Sequence, residues 1–264
     1  MTARAISTAV GVNEVVYAQG GYNGSQFDAH AKYTLGSDAW ANLTSMVHTN
    51  YKKIGARLQD DYYITGGVGY GGTSENKIRY NVVATDTWSD TGVNFNSVCA
   101  GGAGGSLDRA STSAVWYICA GAGGTDKYTK ATNAVTALTA LSSPFVNDAE
   151  ARHTGFTAGG NLYVATGWEG DPPHPGSSLN MWSKECREYS VSGNSWSTKT
   201  DCNTERADCA GVSPSGDSDI GNVIGGDDDA YAGNHNEQYS VSGNTWTNKL
   251  DMLYSVQSVG GADA

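Results

Sequence analysis

The sequence predicts an all-β chain built as five four-stranded antiparallel sheets around one axis, and two observations carry that expectation. Residues 188–199 read EYSVSGNSWSTK and residues 238–249 read QYSVSGNTWTNK, so nearly the same phrase returns after 50 positions. The composition, with 35 Gly, 15 Tyr and 7 Trp in 264 residues, suits short strands joined by tight turns better than helices. A repeat of this length is one supersecondary unit. Such a unit cannot cover both faces of its own twisted sheet, but its neighbours cover them when units stack around an axis. The expected architecture is a five-bladed β-propeller forming a single domain.

Each blade can be read in turn. Unit one (1–45) has VVYAQGG, then Tyr33 and Trp40, and unit two (46–95) has DYYITGG, Tyr80 and Trp88. Unit three (96–140) has VWYICAG and Tyr128, with Val135 where Trp is expected. Unit four (141–200) has NLYVATG, Tyr189 and Trp196, and unit five (201–252) has GNVIGGD, Tyr239 and Trp246. Tyr17, Tyr63, Tyr117 and Tyr163 stand at one shared position before the second glycine position, with Asn222 the exception. A small-residue strand such as Ala5–Val10 or His153–Ala158 leads through a polar turn into the apolar strand that ends in glycine. A third strand carries the Tyr, and Ser-Gly-Asn or its equivalent turns the chain into a fourth carrying the Trp. The Tyr-to-Trp step is seven residues in units one, four and five and eight in unit two. Trp40, Trp88, Trp196 and Trp246 are expected as plates between blades rather than as a ligand cage. Met252 follows Trp246 as Met46 follows Trp40, so Leu253–Gly260 reads as a further first strand, and 253–264 either closes the ring or is surplus to it.

These ordered Gly-Tyr-Trp series resemble the kelch repeat family over essentially the whole chain. The departures are Ala120-Gly121 and Thr166-Gly167 in place of Gly-Gly, the missing Trp of unit three and the missing aromatic of unit five. The resemblance implies a recognition face made by loops that link second to third strands and fourth to first strands of neighbouring blades. Carried onto this chain, the former are about 22–30, 68–76, 122–126, 168–186 and 227–236.

The fourth of these loops is an insertion. Gly167 and Tyr189 are 22 residues apart, against 12 or 13 for the same step in units one, two and five. Its candidate contact residues are Trp168, Glu169, Asp171, His174 and Trp182, since prolines stiffen the excursion and aromatics on a rigid loop bind at low entropic cost. The alternative is that both tryptophans fold back as a lid. The fifth loop adds Asp228 and His235, and Tyr22 and Tyr70 add aromatic contact capacity near the same face. Asp227, Asp228 and Asp229 carry oxygen ligands of the type Ca²⁺ prefers, but the spacing is not that of an EF-hand loop, so no metal is expected there.

Charge and cysteine usage narrow the function classes. With 27 acidic against 16 basic residues the net charge is −11, which argues against nucleic-acid partners. No stretch reaches the roughly 18 apolar residues of a membrane span, and MTARAISTAV lacks the apolar core of a secretory signal. The five cysteines show no C-x-x-C pairing, which weakens zinc; Cys202 and Cys209 are the candidate disulfide pair, and Cys99 and Cys119 fit buried thiols. Galactose oxidase-type copper enzymes also use a kelch-like propeller, but the five scattered histidines, none beside a Tyr, do not match their ligand set. Glu150, Arg152, His153 and Arg206 are the raw material for the enzyme alternative, a carbohydrate-active mutarotase or lyase. The expectation is a non-catalytic recognition or structural module without cofactor. It would bind a protein or glycan, as a homo-oligomer or within a larger assembly. By analogy of composition it is a virion surface or tail-fibre component, located on a virion or cell surface, with a cellular kelch adaptor as the rival.

Overall fold

The computed structural model describes residues 8–22, 28–46, 49, 51–68, 74–98, 101–119, 124–142, 152–168, 182–214, 218–227, 233–255 and 262–263. Among the described residues twenty-one strands form five sheets. Blade one holds β1 (Thr8–Val12), β2 (Val15–Gln19), β3 (His30–Thr34) and β4 (Ala39–Asn42). Blade two holds β5 (Tyr51–Leu58), β6 (Asp61–Val68), β7 (Lys77–Val82) and β8 (Thr87–Asn94). Blade three holds β9 (Ala103–Leu107), β10 (Val115–Cys119), β11 (Thr125–Thr129) and β12 (Ala134–Ala137). Blade four holds β13 (Thr154–Ala158), β14 (Asn161–Trp168), β15 (Trp182–Ser190) and β16 (Ser195–Thr198). Blade five holds β17 (Ala210–Ser213), β18 (Ile220–Ile224), β19 (Asn236–Ser240) and β20 (Thr245–Asn248). Each blade is a four-stranded antiparallel meander, so the protein is a five-bladed β-propeller.

The first strands line the axis, where blades come closest, and that closeness selects glycine. A Cβ on Gly155 of β13 would lie 2.5 Å from the backbone nitrogen of Gly104 in β9, and one on Gly211 of β17 would collide with the Gly155 carbonyl. The small-residue first strands are thus a packing requirement of the ring.

Register shows which repeat positions are equivalent. Tyr33 lies opposite Trp40, Tyr189 opposite Trp196, and Tyr239 opposite Trp246. In blade two, however, Trp88 lies opposite Asn81, while Tyr80 faces Ser89. Asn81, not Tyr80, therefore holds the repeat position, which accounts for the eight-residue step in the sequence. Tyr17, Tyr63, Tyr117 and Tyr163 are equivalent by register, each facing the residue just before that position.

That position anchors a contact repeated around the ring. The residue five further on adopts a left-handed conformation in every blade: Asp38, Asp86, Asn133, Asn194 and Asn244 have φ between 45° and 50°. Its oxygen accepts from the repeat side chain: Tyr128, Tyr189 and Tyr239 hydroxyls donate to Asn133, Asn194 and Asn244 at 3.1, 2.6 and 2.8 Å, and Asn81 donates to Asp86 at 3.3 Å. The same residue also holds the preceding blade. Backbone N–H groups of Thr44, Thr139 and Thr200 donate to Asp86, Asn194 and Asn244 at 2.7, 3.0 and 3.1 Å. The indoles of Trp88, Trp196 and Trp246 donate to the carbonyls of those same threonines at 3.2, 2.9 and 2.9 Å. Blade three lacks the Trp, and Asn133 compensates by donating its amide to the Thr91 carbonyl at 2.9 Å.

The seam between blades five and one differs. Trp40 is 50 % exposed and packs on Tyr33, so it is not the inter-blade plate that the sequence suggests. Tyr17, Tyr63, Tyr117 and Tyr163 each pack against a tyrosine of the following blade: Tyr62, Tyr128, Tyr189 and Tyr239. Blade five precedes this seam and carries Asn222 at that position, where it accepts from Gln238 at 3.3 Å. β1 is the first strand of blade one, and the short β21 (Ala262–Asp263) pairs parallel to β17, so the tail is an addition to blade five. Residues 253–255 are not strand, and 256–260 lie outside the described residues.

The expected Cys202–Cys209 bridge is not formed. Cys119, Cys186, Cys202 and Cys209 are buried and form no disulfide. Cys186, Cys202 and Cys209 pack with Phe156, Tyr163, Tyr239 and Trp246 in one apolar cluster, and the Cys209 thiol donates instead to the Ala207 carbonyl at 3.6 Å. Burial pushes the Cys209 thiol up to about 11 and that of Cys119 up to about 12, which leaves little thiolate. Cys99 lies outside the described residues.

Trp246→Ala is expected to cost about 3–5 kcal/mol in denaturant unfolding, against less than about 1 kcal/mol for Trp40→Ala. Gly155→Ala is expected to cost about 1–3 kcal/mol by overpacking the axis. Thiol titration of the denatured, unreduced protein should recover Cys119, Cys186, Cys202 and Cys209, all of which should resist alkylation in the native state; a missing pair would reveal a bridge.

Candidate functional site

Strand direction places the connections between second and third strands on the same rim as those leading from one blade to the next. This is the recognition face that the kelch resemblance implies. On it, β14 and β15 run to 8 and 9 residues, whereas β18 and β19 of blade five have 5 each. The extension ends with Trp168 directly opposite Trp182, both half-buried. A register shift between Ala165 and Gly167 precedes it, with Thr166 at φ 56° and Gly167 at φ 134°. The local break re-aims the end of the hairpin.

Arg152 secures this corner. Its guanidinium lies 5.1 Å from the centre of the Trp168 ring and also pairs with Asp208 at 3.4 Å. The adjacent His153 is 6 % exposed, and its Nδ1 lies 3.1 Å from the Thr166 carbonyl. Arg206 is buried and pairs with the equally buried Glu237 at 3.1 Å. It also donates to the carbonyls of Gly225, His235 and Val223 at 3.2, 3.1 and 3.2 Å. Glu237 in turn accepts from the backbone N–H of Asn203 at 2.7 Å and of Thr204 at 3.2 Å, so the pair ties the connection leaving blade four to blade five.

Trp168 and Trp182 are brought together. His235 lies on the neighbouring blade, with Nδ1 3.7 Å from Asp251 Oδ1 and its carbonyl held by Arg206. Tyr22 belongs to a different corner: it is 41 % exposed and packs on Tyr51 with ring centres 5.4 Å apart, and Lys52 lies over the Tyr51 ring at 5.9 Å. Glu169, Asp171, His174, Tyr70 and Asp228 lie outside the described residues, as does Glu150. Among the described residues no three His, Cys, Asp or Glu side chains converge as metal ligands. The Trp168 contact with Arg152 and the role of Glu237 have no sequence signal, because each joins a strand residue to a connection distant along the chain.

No protein-family model matches the sequence, and comparison with curated proteins yields no match. Among solved structures, one described as the structure of YjhT superimposes with a TM-score of 0.75 at 16 % identity, covering 94 % of this chain and 84 % of that one. At that identity the likeness establishes the propeller fold and nothing finer.

Removing the Glu237 carboxylate would strand a buried guanidinium and two backbone donors. Glu237→Ala is therefore expected to lower unfolding free energy by about 3–5 kcal/mol, measured by denaturant titration.

Proposed function

We propose that this chain is a non-catalytic recognition module that grips a protein or glycan partner on this rim, with Trp168 and Trp182 as its anchors. The observation that carries the reading is the cross-strand tryptophan pair, half-buried at the end of an extended hairpin and held by the Arg152 guanidinium. Rigid aromatic plates of this kind lose little entropy on binding and present large apolar area beside polar groups. Asp208, paired with Arg152, supplies a polar group at that corner.

A catalytic reading has less support. The guanidinium of Arg206 is committed to Glu237 and to three carbonyls, and Arg152 is committed to Asp208 and Trp168. The kelch-like pattern of the repeats, and the Gly, Ser, Thr and Asn content that suits a virion surface or tail fibre, favour display of a binding surface within a larger assembly.

The test is a glycan array and a partner pull-down with the parent, with Trp182→Ala, and with residues 169–181 replaced by a two-residue turn joining the paired tryptophans. Trp182→Ala is expected to cost about 2 kcal/mol or more in binding while the unfolding midpoint stays near that of the parent. The contact should also persist at raised salt, being largely apolar. Binding that is unchanged in both variants would reject the tryptophan pair as the anchor, and turnover of a bound sugar would reject the non-catalytic reading.

A further inference from the structure

A second site lies away from the tryptophan corner, on the side of blade two that faces blade one. Tyr62 stacks on Tyr17 of blade one at 4.8 Å, and Trp88 meets His30 of blade one edge-on at 5.3 Å, which fixes that side. Here a cavity of about 100 Å³ is lined by Met46, Lys53, Ile64, Arg79, Trp88, Ser89 and Asp90. Its volume is roughly that of three water molecules.

Two cationic groups face it with donors unspent. Lys53 Nζ donates to the Met46 thioether at 3.3 Å, a weak acceptor for an ammonium that carries three donors. Arg79 is 8 % exposed; its Nη1 pairs with Glu75 at 2.8 Å, while Nη2 is buried without a hydrogen bond. A buried guanidinium donor without an acceptor is costly unless something supplies one.

Two of the other blades show what is missing; blade one has Ala31 at the equivalent place, and blade four has Arg187, whose donors are met by Glu185 and Thr198. By register Arg79 occupies the place that Asp126 holds in blade three and Glu237 in blade five, each facing an apolar residue of the second strand: Ile64, Ile118 and Val223 respectively. In those two blades the carboxylate receives the connection arriving from the preceding blade. Asp126 accepts from the backbone N–H of Asn96 at 2.9 Å and of Ser97 at 3.2 Å, as Glu237 does from Asn203 and Thr204. Blade two has a cation at this place, a second cation facing it and a cavity between.

We propose that this cavity binds a small organic monocarboxylate. Its two oxygens would accept from Lys53 Nζ and Arg79 Nη2, and its short apolar body would lie against Met46, Ile64 and Trp88. The ligand supplies the carboxylate that blades three and five carry themselves. Glu75, which already pairs with Arg79, and Asp90 in the lining repel a second negative charge, so the site selects a monocarboxylate over phosphate or sulfate.

The charge state of Lys53 agrees with this geometry. Burial, then the neighbouring Arg79, pushes its ammonium down to about 7, against smaller opposing effects of Glu75 and Asp28. A bound carboxylate favours the charged amine, so binding takes up a proton when the pH is above that value. Affinity should weaken by up to about tenfold per pH unit above about 7.

The test is an NMR titration of the whole chain with acetate, propanoate, phosphate and sulfate at matched ionic strength, repeated across that pH range. Saturable shifts of Lys53, Arg79 and the Trp88 indole with acetate and propanoate, weakening as pH rises, are expected. The divalent anions should be at least about tenfold weaker. Lys53→Met is expected to fold at least as stably as the parent, since it removes a partly buried charge beside a thioether, yet to lose carboxylate binding about tenfold or more. Equal response to all four anions, no saturable response, or pH-independent binding in the parent would overturn the proposal, as would full binding by folded Lys53→Met. The parent's pH series decides the matter even if the variant does not fold.

Discussion

The ring depends on a short contact made at the turn between the third and fourth strands of each blade. An Asn or Asp held in the left-handed conformation closes that turn and fixes its own blade through the repeat Tyr hydroxyl. At three seams the same side chain accepts a backbone N–H from a threonine of the blade before, and a tryptophan of the same hairpin donates to that threonine's carbonyl. One threonine is thereby held at both its N–H and its carbonyl. Asn and Asp tolerate left-handed φ and offer a short side-chain acceptor, so two requirements meet in one residue type. This explains why the phrase SVSGN-[ST]-W recurs so faithfully.

Departures from the pattern fall where a contact is made in another way or has no blade to meet. Blade three replaces the indole N–H with the Asn133 amide. Blade two replaces the Tyr hydroxyl with the Asn81 amide. Asn222 and the half-exposed Trp40 both belong to the seam between blades five and one, where β21 lies beside β17. On blade five the Tyr position turns toward that seam, and a polar Asn there pairs with Gln238 of its own sheet.

With the ring set by these contacts, the rim is free to differ from blade to blade. Blade four extends its middle hairpin to a tryptophan pair, and blade five locks its neighbour with the buried Arg206–Glu237 pair. Blade two places Arg79 where blades three and five carry a carboxylate. The same backbone position thus serves as a structural clasp in two blades and as the wall of a cavity in another. A repeat scaffold allows this because each blade contacts only its neighbours.

Much of the fold was legible in the sequence. Five Gly-Tyr-Trp series at near-constant spacing require five similar sheets, and the four tyrosines ahead of the second glycine position do prove equivalent. The errors share a physical origin. Tyr80 and Asn81 are adjacent, and only strand register decides which of them faces Trp88. Cys202 and Cys209 are close along the chain, yet the Cys209 thiol turns to the Ala207 carbonyl. Trp40 matches its counterparts letter for letter, but whether a Trp is an inter-blade plate depends on what lies across the seam. The insertion after Gly167 marked the rim of blade four, whereas the stacking of Arg152 on Trp168 and the cavity between Lys53 and Arg79 left no local signal. Periodic spacing encodes the blade because strand and turn preferences are local. Which blade faces which, and which charges are left to meet across that gap, is decided by contacts between distant residues that exist only once the ring has formed.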